Sequence, residues 1–254
     1  MSADDIALLY PALLAGLLVL VTHVPLGMRV LERGVIFADL AVAQMAGLGV
    51  VVAGVAGLES SPLALQAVAV ASALCGAALL AWLERWPLAA REAGIGLLFV
   101  LAASAGILLM SRDVHAGEHL KDLLVGQILW VGNTQLLAVA GLSAAVLLAL
   151  RLAGTRLGHF GFYALFALAV TASVQLVGVY LVFASLIVPA LATRNLERHR
   201  LPAAFAVGAA GYLLGLWLSV WQDLPAGAAI VWMMALAGGL LGSVFTGRRK
   251  DLNY

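Results

Sequence analysis

The 254 residues are 64% hydrophobic and only 11% charged, with a formal net charge of +1. Soluble domains lie nearer roughly half apolar and a quarter charged, so the composition excludes an ordinary soluble fold and predicts an integral membrane protein. No basic tract supports a nucleic-acid partner, and a single cysteine, Cys75 in an apolar run, rules out a disulfide framework.

Apolar runs of the roughly 17–25 residues that a span requires recur along the whole length. They predict nine helices, near 6–25, 35–57, 63–83, 93–111, 134–151, 160–175, 178–193, 203–222 and 226–245. The alternating pattern of a membrane β-barrel is absent, so the expected fold is all-α, one polytopic transmembrane bundle filling a single domain, 1–254. The N-terminus carries Asp4 and Asp5 instead of a basic region, so the first run is expected to stay as a membrane helix and not be cleaved as a signal peptide. The second run follows Arg29, Glu32 and Arg33 and carries Asp39, the one acid inside any apolar run. Between the fourth and fifth spans, residues 120–133 predict a short helix at the outer interface, with Trp130 at headgroup depth. Gln175 and Gly178 mark a break between the short sixth and seventh spans. Small-residue spacings such as Gly47/Val51/Gly54 and Gly238/Gly242 predict close helix packing.

Placing the N-terminus outside and the C-terminus inside puts twelve Lys and Arg on the cytoplasmic side and leaves two outside, Arg112 and Lys121. The positive-inside rule favours that orientation, and deleting any one span destroys the asymmetry.

A carboxylate in hydrocarbon is costly and by default faces a bundle interior, a partner or a watery path. Asp39 lies near the inner end of the second helix, and His23 near the inner end of the first, just before Pro25. A carboxylate and an imidazole from adjacent helices can ligate a divalent metal of the zinc or manganese type. They can equally form a hydrogen-bonded pair, or the acid can stay protonated. Helical spacing puts Val42, Ala43 and Ala46 on the Asp39 face and Gln44 off it. In the outer loop, His115-Ala116-Gly117-Glu118-His119 would place His115 and His119 one helical turn apart with Glu118 beside them. That string suits a metal-attracting rim or an ordinary solvated loop. It also matches an inverted zinc-protease motif, but Gly117 weakens the helix and no third ligand follows. No phosphate-binding glycine motif exists, and the only lysines are Lys121 and Lys250. No tightly bound cofactor is expected, and any ATP must be bound by a separate chain that grips cytoplasmic loops. The basic segments 151–161 and 194–202 are the two candidates; simple membrane anchoring explains their charge as well.

Several stretches together resemble one family, the membrane permeases of zinc, manganese and iron ABC importers. Leu26-Gly27-Met28-Arg29-Val30-Leu31-Glu32-Arg33 with Phe37-Ala38-Asp39 resembles its first cytoplasmic loop and its helix with an early Asp. Leu123-Leu124-Val125-Gly126-Gln127-Ile128-Leu129-Trp130 is similar to its Leu-Phe-Gly-Asp-Ile-Leu segment. Val177-Gly178-Val179-Tyr180 through Leu186-Ile187-Val188-Pro189-Ala190, and Leu218-Ser219-Val220-Trp221-Gln222-Asp223-Leu224-Pro225-Ala226-Gly227, resemble its two most specific blocks. The resemblance implies a homodimeric, non-enzymatic permease of the bacterial inner membrane, served by two cytoplasmic ATPase subunits and a periplasmic metal-binding protein. It implies a divalent metal cargo, zinc first with manganese and iron next, and an ATPase-coupling segment near Ala153–Gly158. In the family the early Asp is commonly followed by Ser-His, placing a His one turn up the same face. Those positions here are Val42-Ala43, so the ligand pair carries over to Asp39 alone, with His23 the compensating candidate. The alternative class is a standalone secondary transporter or channel that uses Asp39 as an ion or proton carrier.

Overall fold

The computed structural model describes residues 3–58, 61–111 and 128–250. Among these residues there is no strand, and nine α-helices follow one another: α1 (Ala3–Arg33), α2 (Ala38–Val55), α3 (Pro62–Leu83), α4 (Leu88–Met110), α5 (Asn133–Ala153), α6 (Gly158–Val177), α7 (Val179–Ala192), α8 (Arg200–Gln222) and α9 (Ala226–Lys250). Short 3-10 turns at Ile128–Trp130 and Gly154–Leu157 precede α5 and α6. Eight helices are long and apolar enough to cross a membrane. The exception is α7, whose 14 residues rise only ~20 Å against a hydrocarbon core of ~30 Å.

The helix boundaries have local causes. Ser61 caps α3 by accepting the Ala64 N–H at 3.4 Å, with Pro62 in the first helical position, where its missing N–H costs nothing. Pro87, in extended conformation, starts α4 at Leu88, so Arg91 and Glu92 lie within its first turns and not ahead of it. Gly178, at φ 81° and ψ 163°, occupies a region open essentially only to glycine and separates α6 from α7 at the predicted break. Val177 and Val179 beside it are buried, so this irregular backbone is enclosed by protein.

The largest departure from the predicted ranges is α1, which runs through Pro11 and Pro25 to Arg33 and not merely to residue 25. Pro25 removes one N–H from the ladder and frees the carbonyl of Val21. Membrane helices tolerate such a proline where surrounding helices and local adjustments can take up the freed group. Gly27, two residues on, stays helical and packs tightly: a Cβ there would run into the carbonyl of Leu186 in α7.

The interior is built on α1, α6 and α7, which contribute fully buried Leu20, Leu26, Phe166, Val170 and Leu186. One side of this centre holds α2, α3 and α4; the α8–α9 hairpin covers another. Small residues set these close approaches, as expected where lipid supplies no hydrophobic drive between helices. A Cβ on Gly49 would lie 2.8 Å from the Cα of Ala69, and one on Gly211 would lie 2.7 Å from the Cα of Met234. A Cβ on Gly215 would collide with the backbone of Ile230, and Gly238 meets Val188. Few side chains of α4 and α5 are buried, which places these helices at the rim of the bundle.

Candidate functional site

Asp39 reaches the interior because the turn before it folds back into the bundle. Gly34 takes φ +67°, which lets Val35 N–H return to the Val30 carbonyl at 3.2 Å. Ile36 N–H then donates to Glu92 Oε1 at 3.0 Å, and Ala38 N–H to the Val35 carbonyl at 3.1 Å. Val35 and Ala38 are fully buried, and the Phe37 ring stacks on Phe183 of α7 with centroids 6.3 Å apart. Asp39 therefore enters the protein interior within the first turn of α2, with 1% of its surface exposed.

Among the described residues, neither carboxylate oxygen has a hydrogen-bond partner. The N–H groups of Leu40 and of Asp39 itself lie nearby at the positive end of α2, without hydrogen-bond geometry. Buried polar groups are almost always satisfied, and an unpaired one costs about 1–3 kcal/mol. Val42, Ala43 and Ala46 are buried on the same face, as the spacing predicts, and Gln44 is only half-buried.

His23 is also fully enclosed. Its Nδ1 lies 3.0 Å from the Val19 carbonyl and 3.0 Å from Thr22 Oγ1, and that hydroxyl itself donates to the same carbonyl at 3.1 Å. A carbonyl can only accept, so this network assigns the ring proton to Nδ1. Nε2 is left with its lone pair and no partner among the described residues. A backbone carbonyl on one ring nitrogen and a free lone pair on the other is the arrangement that orients histidines toward metals.

No hydrogen bond joins His23 to Asp39, although α1 and α2 each pack against α6 and α7. Among the described residues, no three His, Cys, Asp or Glu side chains converge on one point. His115, Glu118 and His119 lie outside the described residues, as does most of the expected interfacial helix 120–133. What is described of that helix is the Ile128–Trp130 turn, with Trp130 exposed.

A charged cluster that the helix pattern did not single out lies at the end of the bundle holding the α1–α2 turn. Arg33 Nη1 donates to both oxygens of Glu84, at 2.9 and 3.2 Å, while its guanidinium sits 4.1 Å above the Phe162 ring of α6. His159 Nδ1 donates to Glu84 Oε2 at 2.6 Å. Arg91 donates to the carbonyls of Arg33, Glu84 and Trp86 at 3.4, 2.8 and 3.3 Å. The only sequence signal was the recurrence of charge at helix ends, which counted the arginines as membrane anchors. Beside this cluster, Arg151, Leu152, Arg156 and Phe160 are exposed, with Leu152 76% and Phe160 54% accessible. The 194–202 loop is tied back by an ion pair between Arg200 and Glu32 at 2.9 Å.

A lipid-spanning helical bundle with ligand-type side chains left unsatisfied in its interior is the build of a multi-pass membrane transport protein. The chain belongs to the ABC 3 transport family, whose model matches residues 5–157 and 154–245. It is 28% identical over 166 residues to the "Probable iron transport system membrane protein" of Haemophilus influenzae, a match covering 57% of this chain and 61% of that one. It is 30% identical over 163 residues to the manganese transport system membrane protein MntC of Halalkalibacterium halodurans, covering 55% of this chain and 56% of the other. These matches thus span about three fifths of each relative's length. The fold is shared with a chain of PsaBC from Streptococcus pneumoniae in complex with Fab, at a TM-score of 0.75 and 22% identity over 95% of both chains. It is also similar to a metal-chelate type ABC transporter in an inward-facing conformation, at a TM-score of 0.65 and 19% identity over 94% of this chain and 85% of that one.

Proposed function

We propose that this protein is the membrane permease subunit of an ABC importer for a divalent transition-metal ion, with zinc the first ion to test and manganese and iron next. The observation that carries this reading is the pair of unsatisfied interior ligands. Asp39 offers two carboxylate oxygens and His23 an oriented Nε2, all shielded from solvent and without partners among the described residues. Such groups are costly to maintain in a membrane bundle unless a cation or its waters use them. A nitrogen and a carboxylate suit first-row divalent ions. The iron and manganese transport relatives support the metal class. His115, Glu118 and His119 form the capture rim at the outer mouth in this reading.

The permease works as a homodimer in the bacterial inner membrane, with its N-terminus outside and its C-terminus inside; that orientation needs α7 to cross as the ninth segment although its 14 residues fall short of a full span. Two cytoplasmic ATPase subunits bind the ATP and drive alternating access, and a periplasmic metal-binding protein delivers the ion. The exposed basic and apolar side chains around Gly154–Leu157 suit an ATPase contact, and the Lys/Arg distribution supports the orientation.

The test is ion uptake into proteoliposomes holding the permease, its cognate ATPase and the binding protein, with zinc, manganese and iron supplied separately. ATP-dependent accumulation of at least one of these ions is expected. Accumulation of none, or accumulation without ATP, would overturn the assignment.

A further inference from the structure

We propose that Glu84 is a positioning residue that clasps the segment leading into α6 to the turn carrying Asp39, so that movement imposed at Gly154–Leu157 is delivered to the acid in the bundle interior. The inference rests on the proposed function in taking that segment as the ATPase contact.

Glu84 follows directly after α3, and its side chain is only 9% exposed. From there its carboxylate spans two elements remote in the chain. Oε2 receives the His159 ring N–H at 2.6 Å, one residue after the glycine that opens α6 and two after the Gly154–Leu157 turn. Both oxygens receive Arg33 Nη1, on the last residue of α1. Arg33 is held over the Phe162 ring, so the start of α6 meets the end of α1 a second time.

Beyond Arg33 the chain has little slack. Gly34 turns it, Ile36 N–H is pinned to Glu92 Oε1 at 3.0 Å, Phe37 stacks on Phe183, and Asp39 follows. Arg91 closes the far side by bonding the carbonyls of Arg33 and Glu84 together. A shift of His159 thus has a continuous route of charge-assisted hydrogen bonds and short backbone to Asp39, and such bonds are the stronger class. A plain membrane anchor would need neither a carboxylate drawn in from solvent nor a histidine reaching it from α6.

The discriminating variant is His159→Ala. This side chain is 68% exposed, so its removal breaks the Glu84 bond to α6 and leaves the part-buried ion pair to Arg33 in place. Glu84→Gln is the second variant, keeping size and one accepting oxygen while removing the charge and turning the other oxygen into an N–H donor. Each permease is purified with its cognate ATPase, and hydrogen exchange of the peptide covering residues 33–41 is followed with and without ATP and vanadate. In the wild type the nucleotide is expected to change exchange in that peptide. In both variants the change is expected to fall at least fivefold, with complex assembly and ATP hydrolysis kept in Glu84→Gln, which lies outside the 151–161 segment. Metal carried per ATP hydrolysed is expected to fall in parallel.

An unchanged nucleotide response in His159→Ala overturns the proposal, and so does a wild type whose 33–41 peptide never responds. A wild type that responds at 33–41 but transports no zinc, manganese or iron overturns the ion assignment and leaves the clasp standing.

Discussion

Asp39→Ala separates a working acid from a structural one, because the two roles predict opposite signs for stability. In the folded protein the carboxylate is 1% exposed and neither oxygen is paired. Removing it relieves a desolvation cost of about 1–3 kcal/mol. It gives up a favourable position at the N-terminus of α2 worth about 0.3–1 kcal/mol. The variant should therefore be between neutral and roughly 3 kcal/mol more stable than the wild type. At about 2–4 °C per kcal/mol for a chain of this size, Tm should stay level or rise by several degrees. Uptake should fall at least about tenfold, the scale associated with losing even one supporting contact to a metal. Thermal unfolding in detergent, followed by size-exclusion chromatography of heated samples, measures the first quantity. ATP-driven uptake in proteoliposomes measures the second. Near-normal uptake would remove Asp39 from the ion path, and a Tm lowered by more than a few degrees would show that the carboxylate holds the fold together.

Three further outcomes are expected. Gly27→Ala should destabilise the bundle by about 1–3 kcal/mol, because its Cβ meets the Leu186 carbonyl and backbone cannot swing aside as a side chain can; a lowered detergent melting temperature checks this. His23→Phe, which keeps an aromatic ring but loses the Nε2 lone pair, should preserve insertion and lower zinc uptake more than manganese uptake, since imidazole favours the later ion; equal losses for both ions would make His23 a packing residue. The double substitution His115→Ala with His119→Ala should weaken uptake only when metal is scarce, as loss of a capture rim would, and uptake measured from limiting to saturating ion separates that from a uniform loss.

Much of the architecture was legible without coordinates, because it rests on run length and local chemistry. A bilayer demands long apolar segments, so the runs fall on the nine helices of the described residues, and Gly178 and Pro62 act through their own backbone restrictions. Asp39 stood out for a similarly local reason: an acid in an apolar run needs an explanation wherever the helix packs. The spacing also placed Val42, Ala43 and Ala46 on its face, where they are buried.

Tertiary structure decided the rest. Pro25 looked like an end to α1, yet the helix continues because neighbouring helices enclose it and Gly27 fits under Leu186. The depth of Asp39 depends on a turn folded back onto Val30 and Phe183, and the free nitrogen of His23 on which ring atom the Val19 carbonyl takes. Glu84 was the least legible, since its partners Arg33 and His159 stand 51 and 75 residues away in the chain. Periodicity reports which face of a helix is apolar; it carries no information about which distant charge a loop carboxylate will meet. By itself the sequence therefore determined a polytopic helical membrane protein with one conspicuous acid. Only the packing of α1, α3, α4 and α6 at one end of the bundle decided how that acid is held and what it is connected to.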